Sequence, residues 1–273
     1  MKKYRFITDE NDEGTRLDNY LSELFAEISR TKIQNAIKTD KVSVNGIIKK
    51  PSYKLKTDDK VEFEFEDEEI DVIKPQNIPL EIVYEDENML VVNKQSGMLT
   101  HPTSIEKENT LVNALLYKYD ENLSDINGYL RRGILHRLDR NTSGLLMVAK
   151  NNETHENLAN QIKTKTAVKK YLAIVKGSFK DDFGVINFPI GRHPRQPHKM
   201  AVVEDGKPSI TEFKVLKRFK DATYLELDLK TGRTHQIRVH LSYLKHPVVN
   251  DTLYGGGNFK VKTQEQVLQS YKL

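Results

Sequence analysis

The densest chemistry in the chain lies in His136-Arg137-Leu138-Asp139-Arg140-Asn141-Thr142-Ser143-Gly144-Leu145-Leu146. One acid, Asp139, stands between two arginines. A Thr-Ser-Gly turn is expected next, and the apolar run Leu145 to Ala149 reads as a buried strand. A carboxylate held among cations stays ionised and positioned, which suits a nucleophile better than a proton donor. An ordinary surface ion pair has the same local pattern, so partners must come from elsewhere. In Lys230 to Leu241, Gly232 permits a turn after a strand ending at Leu229. Thr234 is expected to cap a helix bearing Ile237, Leu241 and Leu244, with Arg238 in its first turns. Alone, Arg238 reads equally as a solvated helix residue. In Val168 to Gly177, alternation places Tyr171, Ala173 and Val175 on one face. A tyrosine facing a cleft offers a ring for stacking and a hydroxyl for proton transfer. A core tyrosine explains the pattern nearly as well.

Composition narrows the classes. The 273 residues suffice for one large or two smaller domains, and 37% hydrophobic with 30% charged residues predicts a protein with a real core. No apolar run approaches the ~18 residues that span a bilayer. Met1 to Phe6 lacks the apolar stretch of a signal peptide. The absence of cysteine fits a reducing compartment, so a cytoplasmic location is expected, and it excludes thiolate zinc sites and cysteine nucleophiles. A net charge of +4 permits nucleic-acid binding without demanding it. Acids concentrate in Glu62 to Asp71; bases recur at Arg30 to Lys54, Lys163 to Lys170, Arg192 to Lys199 and Lys207 to Lys220. Such segments could line a channel for a polyanion or be ordinary solvated faces. His101 and His136 occur near the acidic motif, but neither they nor His235 and His240, five apart, have the three- or four-residue helical spacing of metal ligands, and His193 and His198 lie in a basic, proline-bearing loop. Neither metal nor cofactor is expected.

Residues 1–66 read as a small α+β domain. Leu17, Leu21, Leu24, Phe25 and Ile28 recur at helical spacing, and Ser29 or Thr31 can cap a second helix carrying Ile33, Ala36 and Ile37. Val42 and Val44 form a strand, Asn45-Gly46 a hairpin turn, and Val61, Phe63 and Phe65 another strand. Arg30, Lys32 and Gln34 near the second helix start could dock on an RNA backbone. The run Glu66 to Asp71, followed by Pro75 and Pro79, reads as a linker over 67–77. Residues 78–273 form the larger domain. Strands are expected at Ile82 to Tyr84, Met89 to Asn93, Leu145 to Ala149, Tyr171 to Val175, Thr211 to Leu216 and Tyr224 to Leu229; helices at Leu111 to Tyr119, His155 to Lys163 and Thr234 to Leu244. This predicts an α+β fold with a mixed, largely antiparallel sheet. Gln264 to Leu273 reads as an uncapped helix, as if the chain were truncated.

The Asp139 segment resembles the catalytic motif of the RluA-type pseudouridine synthases, which isomerise uridine in RNA. Asn93 to Pro102, Val168 to Gly177 and Lys230 to Leu241 resemble the family's other motifs in order and spacing, from about residue 14 to residue 257. Gln95 departs from the family's usual proline, loosening a turn remote from the proposed chemistry. Arg16-Leu17-Asp18, Ser29-Arg30, Ile37, Val42-x-Val44-Asn45-Gly46, Asp59 and Val61 resemble the alpha-L RNA-binding module. The resemblance implies Asp139 as nucleophile, Arg238 as its ion-pair partner, Tyr171 as the platform for a flipped uracil, and Arg137 as filler of the vacated helix. It implies RNA contacts at Arg192, His193 and Lys199, beside Arg16, Ser29, Arg30, Lys32 and Gln34. The site of attack, ring or ribose carbon, stays open, as does the choice between Tyr171 and water as the base. Large-subunit ribosomal RNA is the implied substrate, with transfer RNA, or a non-catalytic RNA-binding assembly factor, as alternatives. Uracil methyltransferases generally use a cysteine, which this chain lacks; glycoside hydrolases ordinarily need a second carboxyl group, and none lies inside these motifs. Nothing suggests an extended self-association surface, so a monomer is expected.

Overall fold

The computed structural model describes residues 2–25, 28, 30–65, 73–103, 106–120, 122–196, 198–257, 259 and 266–272. Ser29 and most of the acidic linker lie outside them. The chain forms two compact units: residues 1–91, 99–137 and 147–157, and residues 92–98, 138–146 and 158–273. Among the described residues no helix is long and apolar enough to cross a membrane.

In the first unit, β1 (Lys2–Ile7), β2 (Val42–Val44), β3 (Ile47–Ile48) and β4 (Lys60–Phe65) make a sheet of order β1-β4-β2-β3. Helices α1 (Leu17–Leu24) and α2 (Arg30–Lys38) accompany it. Their apolar faces bury Leu17, Leu21, Ile33 and Ile37 with Phe6, Val44, Val61 and Phe63. Asn45 (φ 53°) and Gly46 (φ 74°) turn the hairpin with both residues left-handed, as a two-residue loop of matching twist requires. Thr31, expected as a possible cap, lies inside α2. Strand β1 was not expected. Its exposed side is basic, and Lys3 and Arg5 pair with Glu62 and Glu64 of β4, which the sequence reading had placed in an acidic cluster. Further along, α3 (Leu111–Tyr119) starts with a capping box between Thr110 and Asn113.

An eight-stranded sheet follows the order β5-β6-β7-β14-β8-β13-β12-β9. Its strands are β5 (Ile82–Glu85), β6 (Met89–Lys94), β7 (Ser143–Ala149), β8 (Lys170–Lys176), β9 (Phe183–Asn187), β12 (Ile210–Arg218), β13 (Ala222–Leu229) and β14 (Leu268–Lys272). A separate ribbon pairs β10 (Ile190–Arg192) with β11 (Met200–Val202), and the described residues also form helices α4 (Asn152–Lys163) and α5 (Gln236–Tyr243). β14 runs parallel to β7, whereas the pairings of β8, β9, β12 and β13 are antiparallel. The sheet is therefore mixed and largely antiparallel.

Three local expectations are corrected. The C-terminal segment is a strand over Leu268–Lys272: Leu268 and Ser270 are buried on either side of an exposed Gln269, an alternation that stops at the irregularity between Ser270 and Lys272. The turn after Asp139 falls at Arg140-Asn141, closed by Thr142 N–H donating to the Asp139 carbonyl at 3.1 Å. Ser143 and Gly144 already belong to β7. Gly144 (φ 118°) serves a close approach: a Cβ there would lie 2.0 Å from the Ser270 carbonyl oxygen of β14. Finally, His235 rather than Thr234 precedes α5, and no side chain of His235 caps it. The Gln236 side-chain Oε1 instead accepts from Arg233 N–H (3.0 Å) and Thr231 Oγ1 (2.8 Å), closing the turn from within the helix.

Candidate active site

All the groups around Asp139 described next belong to the second unit. Asp139 sits on the loop entering β7, and its turn is pinned from the end of β6. The Lys94 ammonium is buried and donates to the carbonyls of Gln95 (2.9 Å), Met98 (2.8 Å) and Arg140 (3.1 Å). Gly97 N–H also donates to the Arg140 carbonyl at 2.9 Å, and Ser96 Oγ to that of Asn141 at 3.1 Å. Gly97 (φ 85°) makes the tight turn that brings these donors round. Burial pulls the Lys94 ammonium down to about 8; the Asp139 charge opposes the shift and Arg140 adds to it. Lys94 escaped the sequence reading as a site residue. The available signal was its place in the inward series Leu90, Val92, Lys94, where a lysine is out of character.

The cation bonded to Asp139 comes from α5. Arg238 Nη1 donates to Asp139 Oδ2 at 2.9 Å, while Nε and Nη2 grip both oxygens of Asp251 at 2.7 and 3.1 Å. The guanidinium thus bridges two carboxylates, a use of its planar fork that lysine cannot copy. Burial alone would lower the Arg238 pKa, but the bonds to Asp251 and the charge of Asp139 outweigh it and raise it. Asp251 Oδ1 also accepts from Leu253 and Tyr254 N–H, both at 3.2 Å. Its turn closes on Gly256, where a Cβ would lie 1.6 Å from the Val248 carbonyl oxygen. The Tyr254 ring lies under the guanidinium, 4.9 Å from centroid to Cζ.

Tyr171 projects from the buried face of β8, opposite Leu227 of β13 and Ser270 of β14. Burial first, then the charge of Asp139, push its hydroxyl above the ordinary tyrosine range; the Ser270 hydroxyl opposes this slightly. The phenol is therefore neutral throughout the physiological range. It can offer a face or a proton, but a phenolate base is not populated at rest.

Asp139, Tyr171 and Arg238 thus lie together, although they come from three segments. The expected RNA-binding residues are divided between the two units. Arg192 and His193 lie at the end of β10 and beyond it, and Lys199 just before β11; His193 N–H donates to the Lys199 carbonyl at 2.9 Å. In the first unit Arg137 is exposed, as is Lys32. Arg16, Arg30 and Gln34 converge on one buried carboxylate, Asp18, at 2.7 to 3.0 Å. The Arg16 bond, aided by Gln34 and Arg30 against burial, holds Asp18 well below the usual carboxylate range. Those side chains form a preorganised cluster rather than a row of loose cations. Among the described residues no three His, Cys, Asp or Glu side chains gather as a metal site requires. His240 is engaged by Thr211 and the Phe188 carbonyl, and His136 Nε2 accepts from Met147 N–H.

The family model of the RNA pseudouridylate synthases matches residues 88–243, and that of the S4 domain matches residues 15–61. An RNA pseudouridine synthase of Bacillus subtilis (strain 168) is 44% identical over 256 residues, covering 93% of this chain and 84% of that protein. Ribosomal large subunit pseudouridine synthase D of Pseudomonas aeruginosa is 42% identical over 243 residues, covering 89% and 74%. Among solved structures, human RNA pseudouridylate synthase domain containing 1 aligns with a TM-score of 0.58 at 30% identity, covering 74% of this chain and 79% of that one.

Proposed function

The chain belongs to the RNA pseudouridylate synthase family and carries an S4 domain, and we propose that it isomerises specific uridines of large-subunit ribosomal RNA, with Asp139 as the nucleophile. The observation that carries this reading is the Arg238–Asp139 pair at 2.9 Å, beside the neutral phenol of Tyr171. The ribosomal substrate is inferred from relatives named ribosomal large subunit pseudouridine synthase D.

The reaction breaks the bond from ribose to ring nitrogen, turns the uracil, and joins ribose to ring carbon 5. The proton on that carbon leaves and the freed nitrogen gains one, so atoms balance without imported groups. A base inside a helix must first leave the stack, at a cost of roughly a few kcal/mol. Arg137 fills the gap it leaves, and Tyr171 stacks on the extruded ring. Asp139 attacks the ring or the ribose carbon while Arg238 keeps it ionised and aimed. The raised pKa of Tyr171 favours a platform role, leaving removal of the carbon-5 proton to water or to the released Asp139 carboxylate. The module of residues 1–66 grips RNA through Arg16, Arg30, Lys32 and Gln34, and the β10–β11 ribbon through Arg192, His193 and Lys199.

The test is tritium release from ribosomal RNA labelled at uridine carbon 5. Release by the intact protein and none by Asp139→Ala is the expected pair of results. Undiminished release by Asp139→Ala would refute the nucleophile. Release from transfer RNA but not from large-subunit RNA would overturn the substrate.

A further inference from the structure

The head of α5 holds a histidine that the mechanism above does not use. His235 has left-handed backbone (φ 57°, ψ 19°), a conformation that favours glycine or asparagine, and its side chain does not cap the helix. Its ring instead reaches two functional groups. Nδ1 lies 2.8 Å from Tyr254 Oη, and Nε2 lies 3.9 Å from Asp139 Oδ2. Tyr254 Oη also accepts from Met200 N–H of β11 at 3.0 Å.

We propose that His235 is a positioning residue for Asp139, an Nε2–H donor whose tautomer is set by Tyr254. The inference rests on the reading of Asp139 as nucleophile. A phenol has one proton to give. With Met200 N–H occupying an acceptor position on Tyr254, donation of the phenolic proton to His235 Nδ1 satisfies every group in the chain. The neutral imidazole then carries its proton on Nε2, facing Asp139. The 3.9 Å separation is about 1 Å longer than a hydrogen bond, and such contacts commonly tighten when substrate closes the site. Arg238 Nη1 holds the same oxygen, so two donors three residues apart at the head of α5 fix the carboxylate plane. Because Met200 follows directly on Lys199, RNA held by the ribbon would steady Tyr254 and, through it, the nucleophile.

The backbone of His235 makes the test selective. Asparagine and glycine suit a left-handed residue better than glutamine does, but only glutamine places an N–H where Nε2 stands. We measure single-turnover tritium release from a large-subunit ribosomal RNA transcript labelled at uridine carbon 5. His235→Gln should keep most of the rate. His235→Asn and His235→Gly should lose roughly tenfold to a hundredfold in the single-turnover rate at saturating enzyme, with similar apparent RNA affinity, the size of a charge-assisted hydrogen bond. Nitrogen NMR of the free protein should show the proton on Nε2, and Tyr254→Phe should mix the tautomers. Asparagine or glycine matching or exceeding glutamine, equal losses in all three, or a proton on Nδ1 would overturn the proposal. Asp139→Ala run alongside separates the failures. If it stays active, the nucleophile is wrong; if it is dead while the His235 variants match wild type, only the role of His235 falls.

Discussion

Asp251 makes no contact with the substrate in the mechanism above, yet Asp251→Asn should damage both stability and rate. Its side chain is 1% exposed and that of Arg238 is 7%. Asparagine keeps the shape and one acceptor for Leu253 and Tyr254 N–H, but turns an amide or a neutral oxygen toward Arg238. The guanidinium then remains buried with Asp139 as its remaining carboxylate, which at 21% exposed shares it with solvent. Removing one member of a buried ion pair costs about 3–5 kcal/mol, and the retained acceptor places this case near 3. At about 2–4 °C per kcal/mol for a chain of this size, Tm should fall by about 6–12 °C. The rate should fall roughly tenfold, because an unanchored Arg238 samples positions from which Nη1 misses Asp139. Thermal unfolding with circular dichroism, and tritium release at a temperature where both proteins are folded, measure the two effects. Adding Arg238→Met to Asp251→Asn removes the stranded cation, so it should recover much of the lost Tm while activity stays abolished. An Asp251→Asn protein with unchanged Tm and rate would show that Arg238 does not depend on Asp251.

Other parts of the structure make independent predictions. Gly144→Ala forces a Cβ against the Ser270 backbone, so β14 should lose its place in the sheet, seen as faster amide exchange over residues 268–272. Lys94 binds its proton less tightly folded (about 8) than unfolded (10.5), so between those values the unfolded chain holds more protons and stability should rise with pH; Lys94→Met should abolish that rise in denaturant titrations. Because the Tyr171 pKa is raised above the tyrosine range, the pH–rate profile should show no alkaline limb from it below about 10, and a limb that disappears in Tyr171→Phe would contradict this. Charge reversal at Arg30 and Lys32 should weaken RNA binding and flatten its salt dependence, and an unchanged salt slope would remove both from the interface.

How much of this was legible in the residues varied with the range of the interactions. Helix α3 lies at the expected bounds because its own apolar periodicity and its Thr110–Asn113 capping box are local. Strand β8 likewise shows its inward series in the sequence. Strands β1, β9, β10, β11 and β14 were missed because they are short, charged or glycine-bearing, and are strands only by virtue of a partner. β1 needs the acids of β4, and β14 needs the gap beside Gly144. Asp139 and Arg238 were singled out by resemblance; taken alone each pattern also fitted a solvated surface. Lys94 and Asp251 drew no attention, although a lysine at an inward position and an acid ahead of the Gly255-Gly256-Gly257 run both offered a signal.

The chain alone determined the reagents: one acid between arginines, a tyrosine on an inward strand face, and no thiol in competition. It also determined the local elements that hold them, because helix and strand periodicities are set within a few residues. Which cation meets Asp139 was decided only on folding, since Arg238 lies 99 positions away and a bond of that span has no local signature. So were the burial that raises the Tyr171 pKa above the ordinary tyrosine range and the second carboxylate that aims Arg238. Those properties depend on what surrounds a group in space, and only packing supplies the surroundings.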